Sequence, residues 1–494
     1  MSEAQREMEN PVTRRNVVVI MSDEHNSMYM GCAGHPFVKT PHLDALARRG
    51  AIFTDAYTPS PICVPARAAF ATGMRVHQTR HWDNATPYSG TPQSWGHVLQ
   101  RHGHRVESIG KLHYRNETDP VGFDKEHLPM HVVGGHGMVW GSIRDPILPI
   151  GEGKRMLGEN IGPGETPYTE YDRAVTQTAV GWLEHAAADD RPFVLYIGLV
   201  APHFPLTAPQ EFFDLYKDVE VPEPKLHPAS GAMRHPWVET YAQCIPNEER
   251  FRSAQERRNA FLAYYALCSF LDDNVGKIIA ALDATGLSGS THVVYTSDHG
   301  DNVGARGLWG KSTLYQETVK VPMIAAGPRL PAGVSCGIPV DLVDMYPTIL
   351  DAAGLRWKNE MAKRPGWSIL RLDEQTNAEQ RVIFSEYHAT GSNTAGFMVR
   401  KGRWKYHYYV RFAPELFDLE TDPDELNNLA SSPEHQGVLT EMERELRSIC
   451  DPEAVDLQAK QDQAAFIDSL GGRDVAAGMG VRGATPPPKA TLGA

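Results

Sequence analysis

Asn16-Val-Val-Val-Ile-Met-Ser-Asp-Glu-His25 sets an unbroken apolar, β-branched run directly against two carboxylates. Apolar residues at consecutive rather than alternate positions predict a strand covered on both faces, the condition of strands inside a parallel sheet. His292-Val-Val-Tyr-Thr296 repeats the pattern and runs into Ser297-Asp298-His299-Gly300-Asp301. Open parallel sheets bind their ligands beyond the carboxyl ends of the strands. Asp23 with Glu24, and Asp298 with His299, stand at two such ends. Buried carboxylates without partners are costly, so their convergence points to a divalent cation. Either cluster alone reads equally well as a helix cap or a loop carboxylate.

Between and around these strands the period changes. Thr40-Pro-His-Leu-Asp-Ala-Leu-Ala-Arg-Arg-Gly50 has a cap, a proline in the first turn, helical apolar spacing and a closing glycine. Further helices are expected in 171–187, 254–284 and 340–353, with strands at 193–200 and 321–325. Strands alternating with helices imply an α/β fold, a doubly wound sheet with helices on both faces. From about residue 374 the strand-like pieces shorten, at 382–386, 397–401 and 404–410, and a helix follows at 436–449. This is the texture of a smaller C-terminal α+β region with an antiparallel sheet. The expected division is a catalytic α/β domain over 1–373, the α+β subdomain over 374–470, and a tail over 471–494. That tail is rich in Gly, Ala and Pro, and is expected to be disordered or laid on a neighbouring subunit rather than to form a core of its own.

The 494 residues carry a net charge of −13 with no block of consecutive Lys or Arg, which argues against a nucleic-acid partner. No apolar run is long enough to span a bilayer, and residues 1–15 are polar, unlike a signal peptide, so no membrane partner and a cytoplasmic location are expected. Six cysteines lie far apart with no C-x-x-C pair, against both a disulfide framework and a structural zinc cluster. Any special cysteine is special alone.

One cysteine stands out in Thr58-Pro-Ser-Pro-Ile-Cys-Val-Pro-Ala-Arg-Ala-Ala-Phe-Ala-Thr-Gly73. Pro65 suits a first helical turn, so Cys63 is expected just before the amino end of a helix through Arg67–Thr72. Free N–H groups and the dipole there favour an anion, and Arg67 adds a forked donor set matched to a tetrahedral oxyanion. The plain alternative for a lone cysteine is an inert buried thiol.

Cys63-Val-Pro-Ala-Arg67 with Thr72-Gly73 resembles the C-x-P-x-R signature of the type I sulfatases of the alkaline-phosphatase superfamily, and the resemblance runs from Val17 to about Ala430. It implies that a formylglycine-generating enzyme oxidises Cys63 to formylglycine, whose hydrated aldehyde is the nucleophile. Asp23, Asp298 and His299 match the family's metal ligands, with Glu24 beside them where Asp or Gln is usual. Lys111-Leu-His113 resembles the K-x-H pair that contacts sulfate, His203 in Ala-Pro-His-Phe-Pro matches the histidine near the leaving group, and Lys311 falls at a sulfate-binding lysine. Asn84, in His81-Trp-Asp-Asn84, matches a substrate-binding asparagine of the choline-sulfatase and phosphonate-hydrolase branches. Leu416-Phe-Asp-Leu through Asn428-Leu-Ala430 is similar to the family's C-terminal signature.

The resemblance implies hydrolysis of a small-molecule sulfate ester with calcium as cofactor, manganese being the alternative that an imidazole ligand allows. Lys111, Lys311 and Arg67 would stabilise the sulfate oxygens, His203 would protonate the departing oxygen, and His113 would act as the base that frees sulfate. A homo-oligomer, dimer or tetramer, is expected. The rival readings are a phosphonate monoester or phosphodiester hydrolase of the same superfamily, and a non-catalytic metal-binding protein that keeps the Cys63 thiol. Choline sulfate needs a carboxylate for its quaternary ammonium, but Thr390 stands where that carboxylate is expected; Trp82, Trp140, Trp309 and His388 are candidates for a specificity wall.

Overall fold

The computed structural model describes residues 15–328, 330–356, 364–480 and 485–488. The sequence of residues 1–14, read above as polar, lies outside the described residues, as do parts of the tail.

An eight-stranded sheet forms the centre of the larger body. Its strands are β1 (Asn16–Asp23), β2 (Ala51–Phe53), β3 (Arg105–Lys111), β4 (Lys125–Met130), β5 (Phe193–Pro202), β6 (Thr291–Ser297), β7 (Met323–Ala326) and β8 (Val334–Cys336). They lie in the order β8-β2-β7-β6-β1-β5-β3-β4. The helices are α1 (Pro41–Arg49), α2 (Cys63–Thr72), α3 (Pro167–Ala186), α4 (Ala254–Ala284) and α5 (Met345–Ala352). Alternate residues of β1 go to opposite faces: Val17, Val19 and Met21 join Phe70 of α2 and Ile349 of α5, whereas Val18 and Ile20 join Leu43 of α1, Val175 of α3 and Leu271 of α4. Every one of these side chains is buried, which is why the run in β1 has no polar position to spare.

Two expectations are corrected. The sheet is mixed, because β7 runs antiparallel to both β6 and β2. The chain leaves β6 at the carboxyl edge, builds a long loop on that same edge, and re-enters the sheet without crossing to the other side; re-entry from the edge of departure reverses the strand. The helix expected from residue 340 begins at Met345 instead, after a short strand at Val340–Asp341 and a 3₁₀ turn over Leu342–Asp344. Asp341 accepts the N–H of Val343 and gives the turn its own cap, a local hydrogen bond that competes with the helix.

The C-terminal region is an antiparallel sheet of β9 (Ile383–Tyr387), β10 (Gly396–Lys401), β11 (Trp404–Tyr409) and β12 (Glu415–Asp418) in sequential order. One face packs Phe384, Phe397, Val399 and Leu416 against Met442 and Leu446 of α6 (Gln436–Ile449). The other packs Tyr387, Met398, Tyr409 and Phe417 against Tyr57, Trp237 and Leu314 of the main body. Burying both faces fuses the small sheet to the large one.

Two further helices, α7 (Pro452–Ser469) and α8 (Arg473–Gly478), follow. Contrary to the expectation of a coreless tail, Ala476 of α8 is fully buried with Val139, Ile143 and Ile467. Among the described residues no helix is long and apolar enough to cross a membrane.

Candidate active site

All the strand ends read from the sequence as chemical do meet at one edge of the sheet. β1 and β6 are parallel neighbours with Ser22 opposite Ser297, so Asp23 and Asp298 emerge side by side. Helix α2 brings Cys63 to the same point. Cys63 lies in its first turn rather than just before it, with Ile62 extended at the N-cap, because Pro65 tolerates a place where no intrahelical N–H is needed. The helix stops at Gly73, whose φ is 66°, and a Cβ there would lie 2.7 Å from Cβ of Tyr346. Only glycine satisfies both conditions.

Ligand atoms from Asp23, Cys63, Asp298 and His299 all lie within 4.8 Å of one another, and all four residues are buried. Sγ of Cys63 is 3.2 Å from Nε2 of His299 and 3.6 Å from Oδ1 of Asp23. Nδ1 of His299 is 3.0 Å from the carbonyl of Gly300, so Nδ1–H donates there and Nε2 turns a lone pair toward the carboxylates. Glu24 belongs to a second group with Asp23 and His203. Its Oε2 is 3.1 Å from Nζ of Lys311 and 3.3 Å from Nε2 of His203. The arrangement therefore puts Glu24 against a lysine rather than inside the four-residue cluster.

The cationic groups surround these acids. Lys111 ends β3, where Gly110 at φ 95° turns the chain out of the ladder, and its Nζ pairs with Asp23 at 2.6 Å. Lys311 reaches in from the loop after β6, with Nζ 3.2 Å from Sγ of Cys63 and 3.9 Å from Asp23. Burial pushes the carboxyl of Asp23 up, but Lys111, His203, Lys311 and Arg67 together more than offset that and hold it well below the usual range. Burial, with Asp23 adding to it, raises the thiol of Cys63 to about 11, so at neutral pH an unmodified Cys63 is a protonated, unreactive group.

Arg67 is not placed as the sequence reading has it. Its Nε donates to Asp298 at 2.7 Å, Nη2 to Asp23 at 3.1 Å, and Nη1 to the carbonyl of Lys111 and the hydroxyl of Tyr196. A guanidinium has five donor hydrogens in a fixed fork, and here the fork is committed to the two carboxylates and the wall behind them. Arg67 clamps the acids rather than facing a sulfate. Asn84 likewise turns its Oδ1 to the N–H of Val64, 3.1 Å away, as an acceptor for the first turn of α2, while its residue lines the pocket above.

That pocket has a volume of about 920 Å³ including its mouth and opens over Cys63, Lys111, His113, His203 and Lys311. Its outer wall is apolar and aromatic: Val132, Met138, Trp140, Phe204, Tyr241 and Trp309. No carboxylate lines it among the described residues, and Thr390 does. Trp82 and His388 are not part of this wall; they stack edge to face, 4.9 Å between centroids, in the packing between α7 and the body.

His203 follows β5, and its Nδ1 is 2.5 Å from the carbonyl of Phe204, leaving Nε2 toward the acids. His113 is buried with φ 59°, and burial followed by the charge of Lys111 holds its pKa well below the usual histidine range. It is a neutral ring at physiological pH.

Three contributors escape a reading of the sequence. Asp301 accepts the N–H groups of Val303 and Gly310 through one oxygen and so fixes the loop that presents Lys311; its place two residues after His299 is the one available signal. Tyr196 braces Arg67 from inside β5, indistinguishable in sequence from a core tyrosine. Thr485 lines the pocket from the tail, with no signal at all.

Most of the chain is similar to known proteins. A family model described as Sulfatase matches residues 15–355, and one described as N-sulphoglucosamine sulphohydrolase, C-terminal, matches 304–451. A choline-sulfatase of Rhizobium meliloti (strain 1021) is 32% identical over 465 residues, covering 91% of this chain and 89% of its own. Arylsulfatase K of Homo sapiens is 33% identical over 441 residues, covering 84% and 78%. In structure, a phosphonate monoester hydrolase of Agrobacterium radiobacter superposes with a TM-score of 0.72 over 90% of this chain and 96% of its own; at 20% identity this likeness speaks for the fold. With the acids, the cysteine-bearing helix and the apolar pocket in one place, and most of the chain covered by these matches, the protein belongs to the sulfatase family and is a sulfuric ester hydrolase.

Proposed function

We propose that the chain hydrolyses sulfate monoesters of uncharged, apolar alcohols or phenols, with Cys63 matured to formylglycine by a formylglycine-generating enzyme and a calcium ion held by Asp23, Asp298 and His299. The observation that carries this reading is a buried acidic cluster beneath a pocket whose outer wall is aromatic and free of carboxylates among the described residues.

The donor set fits a hard divalent cation. Two carboxylates and a lone pair already aimed inward by the Gly300 hydrogen bond are suited to it, and manganese is the second choice because one ligand is nitrogen. Such an ion would supply Lewis acidity and a template for the sulfate oxygens. Conversion of Cys63 would supply a hydroxyl nucleophile where the thiol, raised to about 11, supplies none at neutral pH.

The chain's own groups do the rest. Lys311 and Lys111 flank residue 63, so a sulfate seated there meets two ammonium groups that stabilise its developing charge without reorganisation. His203 turns Nε2 to the pocket floor, 3.3 Å from Oε2 of Glu24; burial and the charge of Lys311 hold its pKa well below the usual histidine range, so a proton carried there passes readily to the departing oxygen. His113, neutral and buried, takes a proton in the step that releases sulfate. Arg67 keeps both carboxylates in place throughout. The aromatic wall covers the leaving group and excludes water from the charged floor.

Mass spectrometry of the peptide containing residue 63 and parallel assays with 4-nitrophenyl sulfate and phenyl phosphonate esters test the proposal. An aldehyde at residue 63 and a higher kcat/KM on the sulfate are expected. A higher kcat/KM on the phosphonate overturns it, as does a thiol in fully active protein.

A further inference from the structure

The carboxyl-terminal segment enters the active site of its own chain. Oγ1 of Thr485 lies 2.9 Å from Nε2 of His113, a contact across 372 positions of sequence, and the Thr485 carbonyl accepts a hydrogen bond from the Tyr168 hydroxyl at 2.7 Å. Tyr168 in turn meets the ring of His203 edge to face, 6.0 Å between centroids. Thr485 thus touches one site histidine directly and the other through a single side chain.

The segment is suited to this. Thr485 precedes Pro486-Pro487-Pro488, and a residue before proline is confined to extended conformations while consecutive prolines are stiff. Holding such a stretch in place sacrifices little conformational freedom. Upstream, α8 is anchored by buried Ala476 and by a hydrogen bond from Arg473 to the carbonyl of Pro146 at 2.7 Å. The residues α8 packs on, Val139 and Ile143, flank Trp140 of the pocket wall.

The second observation concerns the other nitrogen of His113. Nδ1 is buried and has no hydrogen-bond partner among the described residues. An orphaned buried N–H is rarer and costlier than an orphaned lone pair. The ring therefore carries its hydrogen on Nε2, donated to Thr485, and bares Nδ1 as an acceptor.

From this we infer that Thr485 is a positioning residue for His113: its hydroxyl fixes the ring in the tautomer that leaves Nδ1 able to take a proton, and its backbone closes the leaving-group side of the pocket. The inference rests on the sulfatase reading for its consequence in turnover, but not for the state of the ring.

The test uses the full chain with ¹⁵N-labelled histidine, comparing wild type, Thr485→Val and Thr485→Ser, with His113 resonances assigned through His113→Gln. Wild type and Thr485→Ser show the Nε2–H pattern at His113, and Thr485→Val loses it. On 4-nitrophenyl sulfate, kcat/KM falls by about tenfold in Thr485→Val, the scale for a lost partner that orients a site histidine, and Thr485→Ser stays close to wild type. Unchanged His113 resonances in Thr485→Val overturn the inference, and so does an equal loss of activity in both variants. If the wild type releases no sulfate from any ester, the proposed function fails while the ring spectra still decide the role of Thr485.

Discussion

Arg67 donates its Nε–H to Asp298 at 2.7 Å from the same helix that carries Cys63 one turn earlier. With its Nη2 on Asp23, one side chain sets the separation of two carboxylates from different strands. Removing one partner of a buried pair costs about 3–5 kcal/mol because the other charge is left unpaired. Arg67→Lys keeps the charge but loses the fork, so calcium affinity measured by calorimetry is expected to fall by about 10–100-fold. An unchanged affinity would show that the acids hold their positions without it.

Chelation is expected to cost both activity and stability. An ion bound at a concentration about a hundred times its Kd stabilises the fold by about 2.7 kcal/mol. EGTA treatment therefore lowers Tm and abolishes sulfate release, and added calcium restores both. A Tm indifferent to EGTA and to added calcium would contradict the assignment of Asp23, Asp298 and His299 as ligands.

Stability in acid is expected to depend on Glu415. Burial pushes its carboxyl up, but hydrogen bonds and charge from His407 and the Tyr409 hydroxyl outweigh this and lower it to about 2 from 4.5. A depressed carboxyl contributes stability that is complete above the unfolded value of 4.5 and is lost as pH falls toward 2. The amount is on the order of 3 kcal/mol. Glu415→Gln should flatten the acid limb of a denaturation series between those pH values, and an unaltered slope would exclude this role.

Leaving-group preference is expected to follow one position in the wall. Thr390 lines the pocket with no carboxylate beside it among the described residues. Thr390→Asp places a negative charge there, which attracts a quaternary ammonium and repels nothing in an uncharged phenol. The ratio of kcat/KM for choline sulfate over 4-nitrophenyl sulfate should rise by about tenfold, roughly 1.4 kcal/mol. A ratio that stays the same would place the leaving group elsewhere in the pocket.

Much of this site could be read from the chain because its acids follow closely on unbroken apolar runs, Val17–Met21 in β1 and Val293–Tyr295 in β6. β1 and β6 announce themselves by consecutive apolar residues, and whatever comes next must stand at the sheet edge. The direction of β7 was not legible, since hydrophobic pattern carries no sign. The late start of α5 was hidden because Leu342 and Val343 continue the apolar spacing, whereas the outcome is set by a hydrogen bond from the Val343 N–H to Asp341. Arg67 was legible as important and misread in role: the sequence shows a guanidinium beside an anion site, while its actual partners come from residues 23 and 298, far away in the chain. Thr485 was illegible because a Gly-, Ala- and Pro-rich stretch has no periodicity from which a destination can be inferred.

All ten residues of α2 are buried in the finished fold, Cys63 at the floor of its pocket. If Cys63 is matured as proposed, the oxidising enzyme must grip the 58–73 stretch as an unfolded peptide, before β1 and β6 close around it. Maturation and folding are then rivals for the same newborn chain, and molecules that fold first are stranded as inert thiol protein. On the proposed maturation, the active fraction of a preparation would be fixed at synthesis, by the supply of the oxidising enzyme relative to the ribosome's output, and later incubation of the native protein would not recover the remainder.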